Sequence, residues 1–392
     1  MKKVLWLASW YPNEADPFSG DFIKRMAEAV SADQPVNIIF VGKQPDKNPL
    51  DSYEKSNIEK TKASLSEFID YYPSAGVGLG VLSKISSLYA YFKSHLKIIR
   101  EFRKNNELPD IVHVQVAMKA GLVALYLKWK YKIPFVLTEH WSGYYEQSRD
   151  SLFRKSFLDK YLTRRILKHA ALVLPVSEDL GRQINHYWAH VPFQKIPNVV
   201  NTRFFSFPEN QPPDEFRFIH VSTLLFPKNI EGIIRSFGEL LKQGFRAELV
   251  FVGPVNPGLN DILAALPETR DKIQFTGEVS YERVSMELKK SSALVMFSFY
   301  ENMPCTILEA LCTGLPVIAS RVGGIPELIQ KENGILVQPG NEDELTSAMK
   351  NVILHYHQYD KEKISRDAVE FYSYESISKK IRQVYQSVLE NG

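Results

Sequence analysis

Two cysteines in 392 residues leave no disulfide framework to staple the chain. If Cys305 and Cys312 share one helix, seven residues separate them by roughly 10 Å along its axis, beyond the reach of a bridge. Both are expected as free thiols, as in cytoplasm. Charge of one sign is also lacking, with 48 Lys and Arg against 45 Asp and Glu for a net +3, which excludes a histone-like polyanion binder and gives no sign of nucleic acid as a partner. No apolar run reaches ~18 residues, so no segment is predicted to span a bilayer. The chain has no Gly-Lys-Ser/Thr phosphate loop, no Asp-x-Asp pair and no Cys/His cluster. The common NTPase and metal-site readings therefore fall away, and no metal or other cofactor is expected.

Three stretches imitate signals that they do not complete. Gly76-Val77-Gly78-Leu79-Gly80 suggests a dinucleotide loop, but Val81 follows and no clear strand precedes it, so a flexible loop is expected. Glu342-Asp343-Glu344 after Gly340-Asn341 reads as the capped, solvated start of a helix. The opening Lys2-Lys3 and the apolar Val4–Ala8 resemble a leader, yet the run ends at Trp10-Tyr11-Pro12 without a cleavage segment and reads as a first buried strand.

What is present is core. The chain is 44% hydrophobic and 12% aromatic, enough for two or three ordinary domains. Short apolar runs alternate with amphipathic helical stretches, the pattern of βα units whose parallel strands are covered on both faces. Five strands are predicted in the first half, at 4–9, 36–41, 111–115, 135–138 and 172–175. Five more fall at 217–222, 248–253, 273–276, 293–297 and 316–319. Helices are predicted between them at 21–30, 88–104, 119–130, 230–243 and 281–289. The break lies near Pro197-Asn198-Val199-Val200-Asn201 and the polar 208–215 that follows. The fold class is therefore α/β, with Rossmann-like doubly wound domains over 1–200 and 201–372. Ligands of such sheets bind beyond the carboxyl ends of the strands, so two facing domains create a cleft lined by strand-end loops. Charge is uneven, with 28 basic and 20 acidic residues in 1–200 against 20 and 25 in 201–392, which suits an anionic surface or substrate at the first domain.

The informative segment runs Phe299-Tyr300-Glu301-Asn302-Met303-Pro304-Cys305-Thr306-Ile307-Leu308-Glu309, then reaches Gly314 and a strand. It reads as strand end, tight loop, helix and glycine stop. A helix starting near Pro304 presents free N–H groups and partial positive charge, which suits a diphosphate. Glu309, one turn inside, is placed to accept from a ribose diol, and Glu301 in the loop to accept from sugar hydroxyls.

Glu301-x7-Glu309, followed by Ala310, Gly314, Pro316-Val317-Ile318-Ala319-Ser320 and Gly323-Gly324-Ile325-Pro326-Glu327, resembles retaining nucleotide-sugar glycosyltransferases of family 4. Two further segments are similar to that family's: Asn333–Asn341, and Ile196-Pro197-Asn198-Val199-Val200-Asn201, which resembles its domain-joining segment. The resemblance implies the GT-B architecture, with the acceptor bound by the first domain and the nucleotide sugar by the second. It also implies a last helix, 373–392, that returns to the first domain.

The resemblance gives Glu301 the donor sugar's hydroxyls and Glu309 the ribose. It puts the N–H groups of Asn302, Met303, Cys305 and Thr306 near sugar and phosphates, while Pro304 has none to give. Val221-Ser222-Thr223-Leu224-Leu225-Phe226-Pro227-Lys228 aligns with a phosphate-clamping loop, so Lys228 is expected on the diphosphate. Thr223 stands where the family usually has a second cation, for which Arg321 is a candidate substitute. Ser19-Gly20-Asp21 aligns with a glycine-rich loop, of which only Gly20 is kept. His140, after the strand ending Thr138-Glu139, matches the histidine beside the donor sugar, and His113 ends another strand. His140, Glu301 and Lys228 are thus the expected catalytic set.

The implied activity is a metal-independent, retaining transfer from a UDP- or GDP-linked sugar to a glycan or lipid-linked acceptor, in surface polysaccharide or glycolipid synthesis. Basic and aromatic residues in 88–104, and six basic against one acidic residue in 154–168, suit an anionic membrane surface and a peripheral protein on its cytoplasmic side. A GT-B sugar epimerase and a catalytically silent nucleotide-sugar binder remain the rival readings.

Overall fold

The structure, a computed structural model, describes residues 2–43, 58–62, 64–72, 81–208, 215–254 and 257–390. The glycine-rich 76–80 and most of the polar stretch 208–215 lie outside the described residues. The chain divides into two compact units, 1–197 with 374–392, and 198–373.

The first unit runs β1 (Val4–Ala8), α1 (Asp21–Ser31), β2 (Val36–Lys43), β3 (Ile58–Lys62), β4 (Leu65–Tyr72), α2 (Val81–Lys104), β5 (Ile111–Gln115), α3 (Met118–Tyr131), β6 (Phe135–Glu139), α4 (Phe157–His169), β7 (Leu172–Pro175) and α5 (Glu178–Tyr187). Its seven strands lie in the order β3-β4-β2-β1-β5-β6-β7, all parallel except the edge strand β3, which runs antiparallel to β4. Strands covered on both faces have no solvent side, and every residue of β1, β5 and β6 is accordingly buried.

Five strands were expected here and seven are found. The two that the apolar pattern missed are β3 and β4, because β4 turns Glu67 and Asp70 inward, where alternation would place apolar residues. The Glu67 carboxylate accepts from the Tyr11 hydroxyl at 2.5 Å and pairs with Lys24 at 3.1 Å, which offsets the cost of its burial.

The second unit runs β8 (Arg217–Val221), α6 (Ile230–Lys242), β9 (Glu248–Val252), α7 (Asn260–Ala265), β10 (Ile273–Phe275), α8 (Tyr281–Lys289), β11 (Ala293–Met296), α9 (Cys305–Cys312), β12 (Val317–Ser320), β13 (Gly334–Val337), α10 (Glu342–Leu354) and α11 (Lys361–Tyr372). Its parallel sheet has six strands, ordered β10-β9-β8-β11-β12-β13. Phe218, Ile233, Phe237, Phe251, Val295 and Phe297 form the centre of its core, all fully buried. Each such side chain contributes about 1.5–3 kcal/mol from leaving water. α9 stops where expected, at Gly314, whose left-handed φ of 81° and lack of Cβ let the Lys361 carbonyl approach.

α12 (Tyr374–Glu390) belongs to the first unit. It buries Ile377, Ile381, Val384 and Tyr385, and bonds to α1 through Tyr374 to Glu28 at 3.2 Å and to the turn after α1 through Ser378 to Asp33 at 2.8 Å.

Candidate functional site

In the second sheet the chain leaves β8 toward β9 on one side and returns to β11 on the other. The carboxyl ends of β8 and β11 are therefore the switch point at which open α/β sheets bind ligands. The loop after β8 carries Thr223 and Lys228, and the loop after β11 carries Glu301.

The first of these loops is fixed from below by a buried histidine. His220 Nδ1 lies 2.8 Å from the Val295 carbonyl, which can only accept, so that nitrogen carries the proton and Nε2 accepts from Ser222 Oγ at 2.7 Å. Burial pushes His220 down to about 3, and the ring is neutral. Ser222 in turn accepts from the Leu224 N–H at 3.0 Å, and Leu224 turns through φ 54°. Asn229, at φ 52°, caps α6 by accepting from Gly232 N–H.

The two loops are zipped together. Phe299 N–H donates to the Pro227 carbonyl at 2.9 Å, and the Phe226 and Phe299 rings stack with centroids 6.0 Å apart. Lys228 Nζ donates to Glu301 Oε1, which also accepts from Ser298 Oγ at 2.8 Å. Behind Glu301 the backbone is pinned on three sides. Gly324 N–H donates to the Asn302 carbonyl at 2.9 Å, and Asn198 Nδ2 to the Met303 carbonyl at 2.8 Å. Gly323 sits so close that a Cβ there would lie 1.9 Å from the Glu301 carbonyl oxygen.

α9 opens directly after this loop, with Pro304 at its cap and no side chain capping it. The first-turn N–H groups of Cys305 and Thr306 lack helical acceptors by geometry. Thr306 Oγ1 lies 3.4 Å from the Val221 carbonyl, tying the helix to the end of β8. One turn on, Glu309 is 4% exposed and accepts from the Tyr281 hydroxyl of α8 at 3.0 Å. The structure thus gathers Lys228, Glu301, Asn302, Met303, Cys305, Thr306 and Glu309 at one end of one sheet. Thr223 is exposed on the same loop as Lys228, and Arg321, just after β12, is exposed as well. Asn302 and Met303 are buried.

In the first sheet the switch point lies between β1 and β5. Gly20 caps α1 in the left-handed region at φ 63°, and a Cβ would stand 2.6 Å from the Trp10 carbonyl carbon. The close approach this glycine permits is that of its own chain. Two residues on, Phe22 packs on His140, ring centroids 4.7 Å apart, so the first turn of α1 and the loop after β6 meet. His140 Nε2 is bonded to the Gln115 carboxamide at 3.1 Å. His113 does not reach a ligand surface: it is wholly buried and bonded to Thr138 and Tyr385.

Sequence reasoning missed Glu139, whose buried carboxylate accepts from the N–H groups of Ala117, His140 and Trp141 and from the Tyr144 hydroxyl. Burial raises it to about 7 against those four bonds, which lower it. A carboxylate beside a matched histidine gave no spacing signal, and neither did Tyr281 or Ser298. Among the described residues, no group of three or more His, Cys, Asp or Glu is placed to hold a metal ion.

Two family models match the chain: Glycosyl transferases group 1 over residues 201–368, and Glycosyltransferase Family 4 over 65–204. The alpha-monoglucosyldiacylglycerol synthase of Streptococcus pneumoniae is 25% identical over 322 residues, 78% of this chain and 71% of that protein. Sucrose-phosphate synthase from Thermosynechococcus elongatus superposes with a TM-score of 0.80 at 18% identity over the whole of both chains. Anabaena HepE, solved in complex with UDP-glucose, gives 0.70 at 16% identity over 98% of this chain and 99% of its own. These likenesses carry the GT-B fold.

Proposed function

The chain belongs to the family-4 glycosyltransferases, since the two matched models between them span residues 65–368, and from that premise we propose which substrates it joins and how. The donor is a nucleoside-diphosphate sugar, UDP- or GDP-linked, and the acceptor a glycan or a lipid-linked glycan. The observation that carries this reading is the set of Lys228, Glu301 and Glu309 at the switch point of the second sheet. In the proposal, Glu309 accepts from the ribose diol, while Lys228 and the first-turn N–H groups of α9 meet the diphosphate. Glu301 accepts from sugar hydroxyls, and His140 contributes a further contact to the sugar. The UDP-glucose in the HepE complex and the diacylglycerol in the pneumococcal relative's name support a nucleotide-sugar donor and a glycolipid product.

The transfer is a same-face displacement that keeps the anomeric configuration. The bond from the sugar's anomeric carbon to the phosphate oxygen breaks, and a bond to the acceptor oxygen forms on that face. The departing phosphate oxygen takes the acceptor's proton. Charge developing on the diphosphate is met by Lys228 and by the α9 N-terminus, and no metal takes part in the scheme.

Membrane association at the acceptor half is part of the proposal. No helix among the described residues is long and apolar enough to cross a membrane. In α2 Tyr91 and Phe102 face the core, while Tyr89 is exposed. α4 differs, with Phe157 81%, Leu158 61% and Tyr161 48% exposed beside Lys155, Lys160, Arg164 and Lys168. That face supports a peripheral contact with anionic lipid. The whole reading is tested by incubating the chain with UDP-glucose and GDP-mannose, with and without lipid extract. The expected result is nucleotide release and a glycosylated product of retained configuration by proton NMR. Absence of release with every donor would overturn it.

A further inference from the structure

The first unit holds a second concave site, away from the switch point of its sheet. The loop after β1 lies over β4 and leaves a cavity of about 250 Å³, walled by Pro12, Pro17, Ile69 and Tyr71. That is below the roughly 300–1,000 Å³ of sites for drug-sized ligands and suits a single sugar ring. The wall is fixed before any ligand arrives. Glu14 N–H donates to the Tyr71 hydroxyl at 3.1 Å, and Asn13 Oδ1 accepts from the N–H groups of Ala15 at 3.0 Å and Asp16 at 3.3 Å.

Lys24 of α1 and Glu67 of β4 bring charge to this cavity. Glu67 is 6% exposed, and both of its bonds fall on one oxygen: the Tyr11 hydroxyl lies 2.5 Å and Lys24 Nζ 3.1 Å from Oε1. Burial and the carboxylate beside it push the Tyr11 hydroxyl well up, so the phenol keeps its proton and donates it to Glu67. Oε2 accepts from no described residue, although each carboxylate oxygen has two lone-pair sites to fill. A buried acceptor oxygen of a residue that lines a cavity is costly until a donor enters. Lys24, with three N–H donors and one of them spent on Oε1, has others to give to the same space.

An acceptor oxygen beside an ammonium, between apolar walls, matches two neighbouring hydroxyls on a ring. One hydroxyl donates to Oε2, the next accepts from Nζ, and the ring's C–H groups lie against Ile69 and Tyr71. An anion fits badly, because Glu14 and Glu67 both line the cavity beside a single ammonium. The cavity is also displaced from the reaction. β4 lies two strand spacings, or about 10 Å, from β1, on the side away from β5, while Phe22 of α1 packs on His140.

We propose that this cavity binds a sugar residue of the acceptor glycan other than the one that receives the transfer, with Glu67 and Lys24 holding two of its hydroxyls. The two residues set acceptor specificity and take no part in the chemistry. That assignment deepens the proposed function and rests on it for the acceptor being a glycan.

The test is saturation-transfer NMR of the full chain without donor, with the methyl glycosides of glucose, galactose, mannose, rhamnose and N-acetylglucosamine as probes. Wild type is expected to bind at least one of them, and Glu67→Gln and Lys24→Met to bind it at least tenfold more weakly, the scale of one charge-assisted hydrogen bond. Lys24 is partly exposed, so Lys24→Met keeps the test open if Glu67→Gln does not fold. With UDP-glucose or GDP-mannose and lipid extract, both variants should need more extract for half-maximal transfer, while donor hydrolysis without extract stays at the wild-type rate. No glycoside bound by wild type, or binding indifferent to both substitutions, overturns the subsite. Donor hydrolysis falling in step with transfer also overturns it, since the pair then serves the frame of the unit. If wild type releases no nucleotide at all, the proposed donor site fails and the glycoside binding alone decides this one.

Discussion

Lys228, on the loop after β8, donates to Glu301, on the loop after β11, so the side chains assigned to the diphosphate and to the sugar are partners in one ion pair. They are only 19% and 12% exposed. A donor that engages both competes with this pair, and its charged phosphates replace Glu301 at the ammonium. The pair thus keeps the lysine extended toward the strand ends and the carboxylate in place, at modest cost while partly solvated.

Lys228→Met is therefore expected to lower kcat for donor cleavage by about 10²–10³, the scale of losing one preorganised charge at a leaving group. Steady-state kinetics with UDP-glucose reads this directly. Melting temperature should move little, since Ser298 still donates to Glu301. A variant with wild-type turnover would remove Lys228 from the phosphate clamp.

Gly323→Ala is expected to damage the site more than the fold. Its φ of 50° disfavours a side chain, and a Cβ 1.9 Å from the Glu301 carbonyl must push the loop away. The strain is on the order of 1–3 kcal/mol. Activity should fall by at least tenfold while the circular dichroism spectrum is retained. Full activity would mean that the Glu301 loop tolerates displacement.

Buried neutral histidines make the stability acid-sensitive. His113 and His220 are both lowered to about 3 by burial. Above the ordinary value near 6.5 neither form of the protein binds the proton, and below it the unfolded chain does while the folded one does not. Stability is thus present above about pH 6.5 and is lost as pH falls toward 3. One such histidine contributes a loss of about 2 kcal/mol between pH 6.5 and 5 at 1.36 kcal/mol per unit. Denaturant titrations at the two pH values should show a smaller drop in His220→Asn than in wild type. Equal drops would mean that His220 is not neutral in the fold.

The exposed end of α4 predicts sedimentation with anionic vesicles at low salt. Phe157→Ser with Leu158→Ser removes two apolar side chains, each worth about 1.5–3 kcal/mol on full burial. Binding should weaken by tenfold or more, with donor hydrolysis in solution unchanged. If wild type stays in the supernatant, the membrane part of the proposal is wrong.

Much of the fold was legible because parallel strands covered on both faces are written as unbroken apolar runs. β5 and β7 occupy the predicted residues, and β1, β8 and β9 end one residue early. β4 was not legible, because Glu67 and Asp70 interrupt its pattern, and the partners that offset the burial of Glu67, Tyr11 and Lys24, are distant in sequence. In the candidate site, Lys228, Glu301 and Glu309 were found by spacing and resemblance. Ser298, Tyr281 and Gly323 support Glu301 and Glu309 through contacts of the folded chain, and such support has no period in the sequence. His113, whose position at a strand end left its exposure open in the sequence, is held inside by Tyr385 and Thr138.

The most direct test of the central claim is a thermal-shift titration of wild type and Glu309→Ala with UDP, GDP and ADP. A ligand at 100 times its dissociation constant stabilises the native state by about 2.7 kcal/mol. The account predicts a rise in melting temperature with UDP or GDP that is lost in Glu309→Ala. A rise that survives in the variant, or no rise with any nucleotide, would contradict a donor site built on Lys228, Glu301 and Glu309.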